Sequence, residues 1–122
     1  MIPTVLVTGD RNWTDEAMIV RALSHFPRGT LLVHGDARGA DRIAGQVAQR
    51  LGFRVQAEPA DWDRYGKAAG PKRNESMLSY YEPDVVLAFH DDLRGSKGTA
   101  DCVARARAKG YKVYEYSHET PY

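Results

Sequence analysis

Asp84-Val85-Val86-Leu87-Ala88-Phe89 decides the fold of this chain. Behind its leading aspartate, apolar residues run without a break, which is the mark of a strand buried on both faces. Such a strand belongs to a sheet covered by helices on either side, and the flanking sequence supplies them. Upstream, Met77, Leu78 and Tyr81 fall at helical spacing. Downstream, Thr99, Cys102, Val103 and Ala106 do the same until Gly110 stops them, and Tyr111 to Tyr116 reads as a closing strand.

The alternation continues back to the N-terminus. Val5-Leu6-Val7 is a buried strand that stops at Thr8-Gly9, and Thr30-Leu31-Leu32-Val33 is another that stops at His34-Gly35. Between them, Thr14 is expected to cap a helix with Asp15 and Glu16 in its first turn and Ile19, Ala22, Leu23 and Phe26 on one face; Pro27 and Gly29 end it. Ile43, Ala44, Val47, Ala48 and Leu51 mark a further amphipathic helix closed by Gly52, and Phe53 to Ala57 alternates as a strand. Glu58 to Pro71 is expected to be irregular, a connection long enough to suggest a functional loop. The tail from Ser117 to Tyr122 shows no pattern. Strand–helix alternation repeated to a final strand predicts an α/β class: one doubly wound domain over residues 1–122, with a five-stranded, mostly parallel sheet in the order 3-2-1-4-5.

Composition is that of an ordinary globular chain. With 122 residues it is long enough to bury roughly two-thirds of its unfolded surface. The formal net charge of +1 argues against a surface that is one continuous nucleic-acid footprint, while leaving room for a local basic patch. Cys102 is the only cysteine, so no internal disulfide forms. The apolar N-terminal run from Ile2 to Val7 is too short for a membrane span and lacks the charged start of a signal peptide. The expectation is a cytoplasmic protein with no membrane partner.

The unusual residues follow strand ends, where open α/β sheets bind their ligands. Gly9-Asp10-Arg11-Asn12-Trp13 follows the first strand, and His34 to Asp41 the second. Asp61-Trp62 and the basic stretch Gly66-Lys67-Ala68-Ala69-Gly70-Pro71-Lys72-Arg73-Asn74 follow the third, and His90 to Thr99 the fourth. Gly95-Ser96-Lys97-Gly98-Thr99 closes a loop and opens a helix, whose free N–H groups favour an anion; as a structural element it is simply a turn with an N-cap. In the second loop, Gly35 and Gly39 are expected to let a ligand approach, Arg38 to meet a phosphate, and Asp36 or Asp41 to take a ribose diol; the bland counterpart is a helix start with a solvated arginine. Trp13 and Trp62 stand in polar loops, where a large aromatic either stacks on a base or anchors its loop to the core. The four histidines have no metal-ligand spacing, so no metal is expected; His34 and His90 read as hydrogen-bonded walls of the site. Cys102 falls on the apolar face of the last helix.

Read together and in order, Thr8 to Trp13, His34 to Asp41, Ala60-Asp61-Trp62, Gly70 to Asn74 and Gly95 to Thr99 resemble the YspA-like group of the SLOG superfamily over nearly the whole chain. That resemblance implies a Rossmann-like fold and a nucleotide or nucleotide-derived ligand: a nucleoside phosphate, ADP-ribose or a NAD-like molecule. Relatives include the Lonely Guy phosphoribohydrolases, molybdenum-cofactor carriers and DprA, and their assembly implies a homo-oligomer. The phosphoribohydrolases use an early-helix arginine, which Arg73 resembles, and a glutamate in Gly-Gly-X-Gly-Thr-X-X-Glu. Here Gly98-Thr99 matches that core, Gly95-Ser96 replaces the glycine pair, and Cys102 stands in the glutamate's place. The carboxylates left to substitute are Glu75, Asp101, Asp36 and Asp41.

Four functions therefore compete. The first is a nucleotide-binding domain, with phosphate at the helix starts near Gly98-Thr99 and Gly39-Ala40 held by Arg73 and Arg38 or Arg11, Lys72 and Asn74 beside it, and Asp36 or Asp41 on the ribose hydroxyls. The second is a nucleotide N-glycosidase with Arg73 on the phosphate and Asp41 or Glu75 as acid or base. The third is single-stranded nucleic-acid binding of the DprA kind through Arg64, Lys67, Lys72 and Arg73 beside Trp62 and Tyr65. The fourth is an interaction module whose basic stretch is only a solvated loop.

Overall fold

The computed structural model of the protein describes residues 2–118. Five strands form one parallel sheet in the order β3-β2-β1-β4-β5, as expected: β1 (Thr4–Gly9), β2 (Leu31–His34), β3 (Arg54–Ala57), β4 (Val85–Phe89) and β5 (Val113–Tyr116). Between them run α1 (Glu16–Leu23), α2 (Ala40–Arg50), α3 (Trp62–Tyr65), α4 (Ala69–Tyr81) and α5 (Lys97–Ala108).

Alternation along the strands divides the core. Val5, Val7, Leu32, Leu87 and Phe89 point to one face and cluster with Ile19 and Leu23 of α1 and Ala44, Val47 and Ala48 of α2. Leu6, Val33 and Val86 point to the other and cluster with Met77 and Leu78 of α4 and Cys102 and Ala106 of α5. In the registers Leu6↔Val33 and Leu6↔Val86, the central leucine is flanked on both sides by β-branched residues of its own face. Each such fully buried side chain stabilises the fold by about 1.5–3 kcal/mol relative to exposure.

Three expectations are corrected. Glu58 to Pro71 is not an irregular loop: Asp61 caps α3 by accepting the Arg64 N–H, a 3-10 turn spans Gly66–Ala68, and α4 has begun at Ala69. Pro71 sits in the first turn of α4, where its missing N–H removes no helical bond. The basic stretch is thus largely helix start, not free loop. α1 is capped by Asp15, which accepts the Met18 N–H at 3.0 Å, one residue later than expected at Thr14. Likewise, α5 begins at Lys97, so Gly98 lies in its first turn rather than in the preceding loop. No helix among the described residues is long and apolar enough to cross a membrane, and residues 119–122 of the patternless tail lie outside the described residues.

Candidate functional site

Strand order reverses at β1 and β4, so the loops after them diverge and leave a crevice above the carboxyl ends. A cleft of about 620 Å³ opens there. Its lining brings together the loop Gly9 to Asn12, the α2 approach with Ala37, Arg38 and Asp41, the α4 start with Lys67, Gly70, Pro71, Arg73 and Asn74, and the α5 start from Arg94 to Thr99, with Trp62 beside them. The cations Arg11, Arg38, Lys67, Arg73, Arg94 and Lys97 outnumber the carboxylates Asp10, Asp41 and Asp101. For a chain with a net charge of +1, that concentrates positive potential in one place.

The α5 start faces this basin with its polar groups unspent. Ser96 is the N-cap residue but makes no side-chain cap bond. The first backbone bond of the helix is Ala100 N–H to Ser96 O, at 2.8 Å. The N–H groups of Lys97, Gly98 and Thr99 find no acceptor among the described residues. A Cβ on Gly98 would meet nothing within 4 Å, so the helix start is open.

The other expected approach is closed. Gly39 has φ +85, and a Cβ there would fall 2.4 Å from Asp10 O; the Ala40 N–H already donates to that same oxygen at 3.2 Å. A Cβ on Gly9 would fall 2.4 Å from the Ala40 Cβ. These glycines let the β1 loop sit on the α2 start, so the protein itself occupies the space that a ligand was expected to use. Arg38 is tied into the same contact, donating to Arg11 O and Asn12 Oδ1 at 3.2 Å each.

Arg73 and Asn74 lock the walls together. Arg73 Nη1 donates to Gly35 O at 2.5 Å and Glu58 O at 3.3 Å, joining α4 to the ends of β2 and β3. Its Nε donates to Asn74 Oδ1 at 2.9 Å, and Asn74 Nδ2 donates to Gly98 O at 3.1 Å and Asp101 Oδ2 at 3.0 Å. Asn74, only 2% exposed, thereby holds the α5 start in place.

Asp41 sits low in the cleft, 4% exposed. Its Oδ2 accepts the N–H groups of Gly35 at 3.0 Å and Ala37 at 3.4 Å. Burial raises its pKa to about 6, opposed by those N–H bonds and by the nearby charge of Arg73.

The two tryptophans take opposite roles. Trp13 is buried, donates Nε1–H to Asp15 O at 3.0 Å and packs on Phe89, anchoring its loop to the core and leaving no face for a ligand. Trp62 is 48% exposed at the cleft, with its ring over Gly70 and the Arg11 guanidinium 5.7 Å from its centroid.

Other expected residues lie elsewhere. His34 is buried, accepts the Asp36 N–H on Nδ1 at 2.9 Å and turns Nε2 toward Gly45 of α2; burial lowers its pKa. Asp36, in a left-handed turn at φ 56, pairs with Arg42 outside the cleft. Lys72 lies 4.9 Å from the Tyr65 ring centroid, and Glu75 pairs with Lys109 and Arg105, both on the far side of α4. There a wider groove of about 1190 Å³ runs from Gln56 and Glu58 to Tyr80 and Tyr81, and Arg73 borders both hollows. The groove contains none of the loops that follow β1 and β4, so the chemistry concentrates in the smaller cleft. Cys102 is fully buried and its thiol pKa is pushed up to about 12, mainly by that burial. His90 bonds Glu115 through Nε2 at 2.7 Å beside β5, outside the cleft lining.

Asp101, named in the sequence only as a stand-in carboxylate and not among the ligand-binding residues, lines the cleft. Its spacing carried a signal, because Asp101 follows Gly98 by three positions and so shares its helix face. Among the described residues no group of three or more histidine, cysteine, aspartate or glutamate side chains is placed to hold a metal ion.

The model of the YspA, cpYpsA-related SLOG family matches residues 3–65. That span includes the β1 and β2 loops and Trp62, and ends before Arg73 and the α5 start. The Gene 61 protein of Mycobacterium phage D29 is 40% identical over 121 residues, covering 92% of this chain and 94% of that protein. The X-ray structure of DNA processing protein A (DprA) from Streptococcus pneumoniae matches with a TM-score of 0.68 at 18% identity, over 93% of this chain and 50% of that one. This is a likeness of fold, and the chain spans about half the length of that solved structure.

Proposed function

This chain belongs to the YspA, cpYpsA-related SLOG family, and on that footing we propose that its cleft binds a nucleotide or nucleotide-derived ligand, with a phosphate on the first turn of α5. The carrying observation is the set of unclaimed N–H groups at Lys97, Gly98 and Thr99, facing a basin of cations. Backbone N–H groups and the helix dipole favour an anion at such a start, and Arg94 and Lys97 add charge to it. Nucleoside phosphates, ADP-ribose and NAD-like molecules all present the required group.

Binding without turnover is the version the residues support. The side chain in the glutamate's place is the buried Cys102, and Glu75 is engaged by Lys109 and Arg105 away from the cleft. Incubation with nucleoside monophosphates and NAD is expected to release no free base.

Melting of the protein with AMP, ADP-ribose, NAD and cyclic nucleotides tests the reading. At least one is expected to raise the midpoint through linkage, and no shift with any of them at millimolar concentration would overturn it. Gly98→Leu is the matching variant. Nothing stands within 4 Å of the added Cβ, so the fold should persist while the phosphate position is filled.

A second reading has its own observation. Trp62 and Tyr65 are both exposed, with Arg11 near the first ring and Arg64 and Lys72 at 5.2 and 4.9 Å from the second. Aromatic faces interleaved with cations suit single-stranded nucleic acid, and the solved structure of like fold is of a DNA processing protein. Oligonucleotide binding that falls steeply with salt would favour it; salt-insensitive or absent binding would reject it.

A further inference from the structure

The carboxylate of Asp41 is half used. Oδ2 accepts both N–H groups that brace the β2 loop, from Gly35 and Ala37, and Oδ1 has no partner among the described residues. Bracing needs one acceptor oxygen, which a neutral asparagine would supply without the cost of a buried charge. An ionised side chain 4% exposed, lining the cleft with a spare oxygen, instead calls for a donor from outside. That donor is not the phosphate, which a carboxylate repels. With the phosphate on the α5 start and an exposed aromatic ring at Trp62 available to the face of the base, the ribose hydroxyls are the donors that every ribonucleotide presents between the two.

Resting on the nucleotide reading above, we infer that Asp41 Oδ1 accepts a ribose hydroxyl, and that the cleft therefore selects ribonucleotides over the deoxy form that lacks that hydroxyl. Asp41 is then a specificity-determining residue. Asp36 has no part in it, since its carboxylate is engaged by Arg42 outside the lining.

Calorimetric titration of the full chain tests this. The four ribonucleoside 5′-monophosphates are compared, and the tightest is set against its 2′-deoxy, 3′-deoxy and 2′,3′-dideoxy forms. Loss of a hydrogen bond to a buried carboxylate is expected to weaken the dideoxy form by about tenfold to a hundredfold. Dideoxy and ribose forms of equal affinity would overturn the inference while leaving nucleotide binding intact. No binding by any of the four, nor by ADP-ribose, NAD or cyclic nucleotides, would overturn both. Asp41→Asn, checked for its fold by circular dichroism, is expected to bind ribose and dideoxy forms alike; a retained preference would assign the selection to another residue. The ligand series on the unmodified protein decides the matter even where the variant does not fold.

Discussion

Arg73 fills the space that a side chain at position 35 would need. A Cβ built on Gly35 would fall 2.4 Å from Arg73 Nη1, the same nitrogen that donates to Gly35 O at 2.5 Å. Gly35→Ala keeps an allowed backbone but displaces the guanidinium from Gly35 O and Glu58 O. The expected cost is about 1–3 kcal/mol, the range for bonds made by a charged donor. Urea unfolding checks it. Gly35→Ala combined with Arg73→Ala should cost clearly less than the sum of the two, because both remove one interaction. Full additivity would mean that the clamp does not hold β2 and β3 to α4.

This contact also explains why the site was only partly legible in the sequence. Unbroken apolar runs and helical spacing depend on neighbours in the chain, so the sheet order and both core faces could be read directly. Gly35 and Gly39 announced a close approach, but nothing local says what approaches; Arg73 and Asp10 do, from distant positions. Gly66, Gly70 and Pro71 made a helix start look like a loop, since clustered glycine and proline punctuate turns as readily as helix starts. Trp13 and Trp62 are alike in sequence setting, and what separates them is which distant groups they meet: Phe89 and His118 bury the first, while the second stays half exposed at the cleft.

Asn74 gives the next prediction. Its amide donates to Gly98 O and to the Asp101 carboxylate while its oxygen accepts from Arg73. Asn74→Ala is expected to cost about 1–3 kcal/mol by leaving buried partners unmatched. Asn74→Asp should be worse, since it places a carboxylate against a carbonyl and another carboxylate. Hydrogen exchange should quicken first between Gly95 and Asp101. Equal stability of the Ala and Asp variants would argue against the donor roles assigned to Nδ2.

His118 links the end of the described chain to two loops. Its Nε2 lies 2.8 Å from Asp15 Oδ2 and its Nδ1 2.9 Å from Asp91 Oδ2, with the ring stacked 4.8 Å from Trp13. Bonds to Asp91 and then Asp15 raise its pKa above 6.5. A raised cation contributes stability that is full below 6.5 and lost as pH climbs through the folded value. Asp15 and Asp91 are lowered below 3.8, chiefly by bonds to His118, so their share is present above 3.8 and lost in acid. The clip should be strongest between those limits. His118→Gln should flatten the alkaline fall of the melting midpoint, and Trp13 fluorescence in a Trp62→Phe background should lose its titration. An unchanged alkaline limb would place that fall elsewhere.

Asp41 carries the opposite sign from Asp15, Glu75, Asp91 and Glu115. Its folded pKa of about 6 lies above the ordinary 3.8, so its contribution is full below 3.8 and lost as pH rises through about 6. A shift of that size corresponds to about 3 kcal/mol by order of magnitude, a cost borne at neutral pH. Asp41→Asn should therefore gain stability relative to the parent at pH 7.5 and lose that advantage near pH 4. Taking the difference between variant and parent cancels the lowered carboxylates Asp15, Glu75, Asp91 and Glu115, which pull the other way. A variant less stable at pH 7.5 than at pH 4, relative to the parent, would mean that the loop needs the charge. A variant that is more stable and yet indifferent to the ribose would mean that the charge is kept for the ligand, because the fold alone would be better served without it.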